Sequence, residues 1–394
     1  MTPPRLPRSS DVRGAVRLAV AATAGVTDLV EAMHARIVQL PGFKAPAIAG
    51  RTSGITGLVY KTVRGVTRLA GGSLDALLGL LPPALDAQAS SSEREAVLAA
   101  LNGVLGDYLA NSANPLATTM TLRSDGRTLD RLPDSPRGLL VLVHGLCMND
   151  QQWLRDQHDH GRALQRDLGL QPVYLRYNSG RQVSDNGRDL ARLLETKLAE
   201  HAQPIDRLVF LCHSMGGLVA RSALHFGAQA GQRWPTLVSD LVFLGTPHHG
   251  APLERAGQWV DILLGATPYA APFTRLTQLR SAGITDLRHG NLIDDHGPGQ
   301  QRFARSVNRP THVALPTSLR CFAVAGRLAR QGGSPQAQLL GDGLVPVESA
   351  LGQHAQAERS LQIAPDRLWV AASVNHMTLL SDAGVYRKLL GWLK

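Results

Sequence analysis

The chain has 394 residues, 44% of them hydrophobic, which is enough for one large core with an appended module and excludes wholesale disorder. Its formal charge of +10 is scattered along the chain rather than gathered into basic runs with aromatic interleaving, which excludes a nucleic-acid surface. Three cysteines (Cys147, Cys212, Cys321) at irregular spacing fit neither a disulfide framework nor a zinc knuckle and point to a reducing compartment.

The first hundred or so residues read as helical. Apolar residues recur at Val16, Ala19, Val26, Leu29, Val30, Met33 and Ile37, and again at Ile55, Leu58, Val59, Val63, Val66 and Leu69. A third helix starts at Ser92, with Glu95 completing a capping box, and carries Val97, Leu98, Leu101, Val104, Leu105 and Tyr108. Pro41, Pro82 and Pro83 punctuate these segments. The basic start and the apolar run Leu18–Val26 resemble a signal peptide, but Arg17 intrudes and the helical repeat continues past any cleavage point. No stretch reaches the roughly 18 to 20 apolar residues of a membrane span. The reading is a cytoplasmic protein, with peripheral membrane contact through the N-terminal helices left open.

The character changes near Ala117, so the domains are taken as an N-terminal helical region, 1–116, and a catalytic domain, 117–394. The run TTMTLRSDGRTL is a hairpin with its turn at Asp125-Gly126. Strands are expected at Leu139–Val143, Pro172–Tyr177, Arg207–Leu211, Leu241–Leu244, Leu319–Ala325 and Leu368–Ala372. Helices are expected near Trp153–Leu168, at Asp185–His201 and Leu218–Phe226, and at the end with Val385, Leu389, Leu390 and Trp392. That alternation makes the fold α/β: a mostly parallel central sheet with helices on both faces. Residues 250–318 lack strand character and hold apolar residues at helical spacing (Trp259, Val260, Ile262, Leu263, Leu264), which suits a helical cap over the strand ends.

The chemistry-bearing signal is LVFLCHSMGGLVARSAL. A bulky apolar strand ends at Cys212, a helix begins after Ser214, and the five residues between resemble the nucleophile elbow G-x-S-x-G with cysteine replacing its first glycine. Such a turn demands small residues two positions either side of the serine and sets its hydroxyl at a helix N-terminus. Serine needs a base and an orienting acid, which follow in the order serine, acid, histidine. Asp342 in GDGLVP and His376 in NHMTLL both fall beyond strand C-terminal ends. Asp366 and Glu348 stand as reserve acids, and Asp240, also after the serine, is not dismissed by order. For the oxyanion hole the N–H of Met215 is one donor and that of Leu146, beside Gly145, the other. His144 reads as structural, as do His213 and Gly216 of the elbow.

HGL after a strand, HSMGG and GTPHHG, followed by the GDG and NH segments, resemble the lipase and esterase branch of the α/β hydrolases, near bacterial triacylglycerol lipases and the inositol-deacylase-like group. The resemblance covers about Leu139 to Trp392 and not the N-terminal helices. It implies hydrolysis of carboxylic esters without a cofactor, through an acyl-enzyme on Ser214, and it makes His248 and His249 residues of a loop that shapes the pocket. Secreted lipases of this branch often carry calcium and a disulfide; no matching ligand cluster or cysteine pair stands here, so no metal is expected. The expected substrate is a hydrophobic or lipid-like ester. Thioester hydrolysis and acyl transfer use the same three side chains and stay open, as does a membrane-peripheral binding protein on a silent scaffold.

Overall fold

A computed structural model describes residues 9–38, 61–63, 65–67, 69, 91–134, 138–201, 204–251, 281–293, 312–328 and 341–394. The expected apolar helix at Trp259–Leu264 and most of the second N-terminal segment lie outside them, as does most of the expected cap. The chain forms two compact units, Met1–Ser90 with Asn111–Ala117, and Ser91–Ala110 with Thr118–Lys394.

In the first unit a helix spans Ser9–Val38. Gly14 gives its carbonyl to the Asn114 side-chain amide at 3.1 Å, and Arg17 donates to the Ala113 carbonyl at 3.1 Å. No described helix is long and apolar enough to cross a membrane.

The second unit is built on an eight-stranded, mostly parallel sheet with helices on both faces, in the order β2-β1-β4-β3-β5-β6-β7-β8. The strands are β1 (Thr121–Ser124), β2 (Arg127–Thr128), β3 (Leu139–Val143), β4 (Gln171–Arg176), β5 (Leu208–His213), β6 (Val238–Leu244), β7 (Arg320–Arg327) and β8 (Leu368–Ala372). The β1–β2 hairpin closes with Asp125 at φ 47° and Gly126 at φ 72°, the doubly positive turn that Asp-Gly favours, and β1 runs antiparallel to β4. All later pairings are parallel. β3 and β5 are buried along their whole length, as uninterrupted apolar runs covered on both faces must be.

The third expected helix, Ser92–Asn111, differs from its sequence reading in two ways. Its cap is Ser91, whose Oγ accepts from the Arg94 N–H at 3.2 Å, so the Ser92–Glu95 box is not made. Glu95 is instead buried among guanidinium groups, paired with Arg94 at 3.3 Å and with Arg176. Its residues up to Ala110 also fall in the second unit, with the sheet. Ala100 and Val104 join the same core as β3 and β5, and the Gly106 carbonyl accepts from Asn178 at 2.9 Å. The expected helix near Trp153–Leu168 is two elements, a 3₁₀ turn at Asp150–Trp153 and a helix at His160–Leu168 capped by Asp159. Of residues 250–318, the described part includes a helix, Ala282–His289, capped by Ser281 and tied to Asp107 through the Ala282 N–H at 2.9 Å.

Candidate active site

Ser214 follows β5 directly and caps the helix Met215–Gln229 with φ 54° and ψ −126°, a backbone state that costs a non-glycine residue about 1–3 kcal/mol. Surrounding structure must hold it there. Its N–H donates to the Leu244 carbonyl at 2.9 Å, locking the turn to the end of β6. Gly216 has no room for a side chain, since a Cβ would run into the Val143 and His144 carbonyls. Cys212, at the position where the elbow pattern has its first glycine, is fully buried, and burial keeps its thiol protonated. The Ser214 hydroxyl is itself fully buried and hydrogen-bonds to no described residue.

Asp342 follows β7, and His376 follows β8. Their side chains meet at 2.7 Å, Asp342 Oδ2 accepting from His376 Nδ1. The other carboxylate oxygen accepts from the backbone N–H groups of Leu344 (3.0 Å) and Val345 (2.8 Å), which fixes the plane of the carboxylate. The two loops are stitched again by the His376 N–H donating to the Asp342 carbonyl at 3.1 Å. Because a carboxylate only accepts, the proton of a neutral His376 sits on Nδ1 and its Nε2 carries the lone pair a base needs.

His213 joins the elbow to this pair. Its Nε2 donates to the His376 carbonyl at 3.0 Å, and the two imidazoles lie 4.7 Å apart. Burial holds the His213 pKa well below the ordinary histidine value, so the ring stays neutral and serves as a strut. At the end of β6, Gly245 lies against both members of the pair, with a Cβ there falling 3.0 Å from Asp342 Oδ2 and 3.1 Å from His376 Nδ1. The C-terminal ends of β5, β6, β7 and β8 thus deliver the residues to one rim.

The loop after β3 reaches the same rim. A Cβ on Gly145 would lie 3.0 Å from Ser214 Cβ, so only glycine lets the Gly145–Leu146 backbone come this close. Leu146 is fully buried; Met215 opens a helix, so its own amide has no carbonyl one turn back to donate to. His144 stacks on Tyr177 at 4.3 Å, its Nδ1 donates to the Gly145 carbonyl at 2.8 Å, and burial lowers its pKa to about 4. Two residues here escaped the sequence reading: Tyr177, whose hydroxyl donates to the His144 carbonyl at 2.8 Å, and Ser179, whose Oγ accepts from the Cys147 N–H at 3.0 Å. Both brace the loop from β4, and no motif marks them.

The remaining candidates lie apart from the pair. Asp240 is fully buried at the start of β6, the opposite end of the sheet, between Arg207 (3.0 Å) and Arg320 (2.5 Å). Glu348 and Asp366 are exposed. His248 and His249 follow Gly245 and face away toward Arg221 and His354 respectively.

Residues 138–296 match the family model described as PGAP1-like alpha/beta domain. No curated protein sequence matches the chain. Among solved structures, the mature lipase BlEst2 of Bacillus licheniformis is 18% identical, covering 70% of this chain and 98% of that one, with a TM-score of 0.43. The esterase Pf2001 of Pyrococcus furiosus is 14% identical over 65% of this chain and 80% of its own, with a TM-score of 0.38. Phospholipase PlaB of Legionella pneumophila is 17% identical over 65% and 59%, with a TM-score of 0.39. Residues 138–296, which hold the elbow and strands β3 to β6, are thus similar to a PGAP1-like alpha/beta domain.

Proposed function

We propose that this chain is a serine hydrolase that cleaves carboxylic esters through an acyl-enzyme on Ser214. The observation that carries the reading is the 2.7 Å bond of His376 Nδ1 to Asp342, joined through His213 to a serine held at positive φ. His376 Nε2 takes the serine proton as Oγ attacks the ester carbonyl. Asp342 keeps the imidazole in the required tautomer and stabilises the imidazolium. The Leu146 and Met215 N–H groups receive the oxyanion of the tetrahedral intermediate. His376 then protonates the departing alcohol, and water repeats the sequence to release the acid. The apolar run Trp259–Leu264, which follows β6 in the chain, favours a hydrophobic acyl group.

The test is labelling with a fluorophosphonate followed by peptide mapping, alongside hydrolysis of p-nitrophenyl esters of increasing chain length. The label is expected on Ser214. Ser214→Ala is expected to keep the far-ultraviolet circular dichroism of the parent while losing about 10⁴-fold or more in turnover. Label on another residue, or parental turnover in Ser214→Ala, overturns the assignment.

A further inference from the structure

Two backbone donors beside the serine stand open. Leu146 is fully buried, yet its N–H donates to no described residue, and neither does that of Met215, the other proposed oxyanion donor. A buried amide without an acceptor is rare, and it stays open only if its peptide plane is prevented from turning toward a partner. Two peptide units decide where the Leu146 N–H points. The first carries the Gly145 carbonyl and the Leu146 N–H, which a trans peptide directs oppositely, and His144 Nδ1 donates to that carbonyl at 2.8 Å. The second carries the Cys147 N–H, which donates to Ser179 Oγ at 3.0 Å.

The two tethers differ in kind. His144 belongs to the loop it holds, so it fixes that loop's internal shape and would travel with it. Ser179 comes from outside, on the segment that follows β4, and is itself buried. An anchor must be fixed to be useful, and this one is. The Asn178 side chain accepts from the Gly180 N–H at 3.1 Å and donates to the Gly106 carbonyl at 2.9 Å, while Asn186 donates to the Asn178 carbonyl at 2.9 Å. From the other side the helix Ala282–His289 closes in, since a Cβ on its Gly283 would run into the Ser179 carbonyl.

The tethered residue is strained. Cys147 stands at φ 58°, a left-handed state that a non-glycine residue keeps only when its surroundings impose it. The helix Ser92–Asn111 supplies the stop. A Cβ on its Gly103 would lie 2.9 Å from the Cys147 Cα and 3.0 Å from the Cys147 N, so the helix backbone sits directly behind the peptide that Ser179 holds. Gly103 is fixed in turn by Ser281, whose Oγ donates to its carbonyl at 2.7 Å. Burial pushes the Cys147 thiol up to about 12, so the sulfur fills space rather than reacts.

Resting on the ester-hydrolase reading above, we infer that Ser179 is a positioning residue of the oxyanion hole: with Gly103 as the stop behind Cys147, it pins the second of the two peptide planes and so aims the Leu146 N–H at the oxyanion of the tetrahedral intermediate. Ser179 acts through the Leu146 amide rather than on the substrate. The carbonyl oxygen of a bound ester carries little charge and the oxyanion carries a full one, so the effect of a misaimed donor falls on kcat and not on KM.

The test compares the full-length parent, Ser179→Ala, Ser179→Cys and Gly103→Ala on p-nitrophenyl esters, with rates taken per site titrated by a fluorophosphonate. Inhibition by an alkyl trifluoromethyl ketone is measured beside them. Ser214 Oγ adds to the ketone carbon and its proton passes to His376 Nε2, which leaves a hemiketal oxyanion in the hole. In Ser179→Ala kcat is expected to fall about tenfold with KM within about twofold, since losing an oxyanion donor outright costs about 10²- to 10³-fold and a loosened one less. The Ki of the ketone is expected to rise by the same factor of about ten. Ser179→Cys, close in size but a weak acceptor, is expected to lose about threefold in both and carries the test should Ser179→Ala not fold. Gly103→Ala, which crowds Cys147 without removing a hydrogen-bonding group, is expected to shift kcat and Ki in the same direction; parental values there overturn the part assigned to Gly103. Parental kcat and Ki in Ser179→Ala overturn the positioning role. So does a lowered kcat with an unmoved Ki, which marks a residue that serves folding alone. A parent that hydrolyses no ester overturns the hydrolase reading and this role together.

Discussion

Two buried carboxylates sit at opposite ends of the same sheet, and their partners give them different uses. Asp240, at the N-terminal end of β6, lies between the guanidiniums of Arg207 and Arg320. Asp342, beyond the C-terminal end of β7, has one oxygen on backbone N–H groups and the other on His376. A guanidinium never surrenders its proton, so the first arrangement can only hold strands together. An imidazole can take and return one, so the second can take part in proton transfer. The difference lies not in the acid but in whether its partner can give up a proton and take it back.

The sharpest way to break this contrast is to neutralise each acid in turn. Asp342→Asn is expected to reduce kcat by about 10³- to 10⁴-fold by favouring the wrong imidazole tautomer, with thermal unfolding little changed; ester turnover beside a melting curve checks both. Asp240→Asn should leave kcat per folded molecule near the parent and lower stability by about 2 kcal/mol, read from a urea titration. That cost is well below that of a fully buried pair, because Arg207 and Arg320 are 33% and 45% exposed and water takes up part of the charge. Equal kinetic losses for the two variants would abolish the contrast.

A smaller effect is expected from His213→Leu, which removes the donor to the His376 carbonyl. We expect kcat to fall about tenfold with KM little altered, because the base loses alignment rather than chemistry. Acid sharpens the comparison with the smallest effect. His144 and His160, which donate to the Gly145 and Leu379 carbonyls in the loops after β3 and β8, have folded pKa values lowered to about 4 by burial, against an ordinary 6.5. The unfolded chain therefore takes up protons first. Their stabilisation is complete above pH 6.5 and is lost as pH falls from 6.5 toward 4, by about 1.4 kcal/mol per pH unit for each histidine. Chemical denaturation at pH 7, 6 and 5 measures the slope; a flat profile would show that these rings are not buried neutral.

The elbow was legible because its physics is local. A strand, a serine between small residues and a helix occupy adjacent positions, so LVFLCHSMGG carries the turn without reference to the rest of the chain. The hairpin at Asp125-Gly126 was legible for the same reason, its turn being a property of two residues. The reserve acids were not separable, since Asp240, Glu348, Asp366 and Asp342 all follow the serine, and only strand register and loop packing bring one of them to His376. Glu95 shows the converse: a plausible local capping role yields to buried arginines from distant strands, because a buried carboxylate gains more from paired charge than from one backbone N–H.

By itself, then, the order of residues determined the elements: alternating strands and helices, the strained serine turn, and which side-chain types stood available beyond the strand ends. Tertiary structure decided which of them meet. A hydrogen bond closes only within about 3 Å, and contacts over 34 positions for the Asp342–His376 bond or 163 for the bond from His213 to the His376 carbonyl depend on how the sheet stacks its strands, which no local pattern encodes.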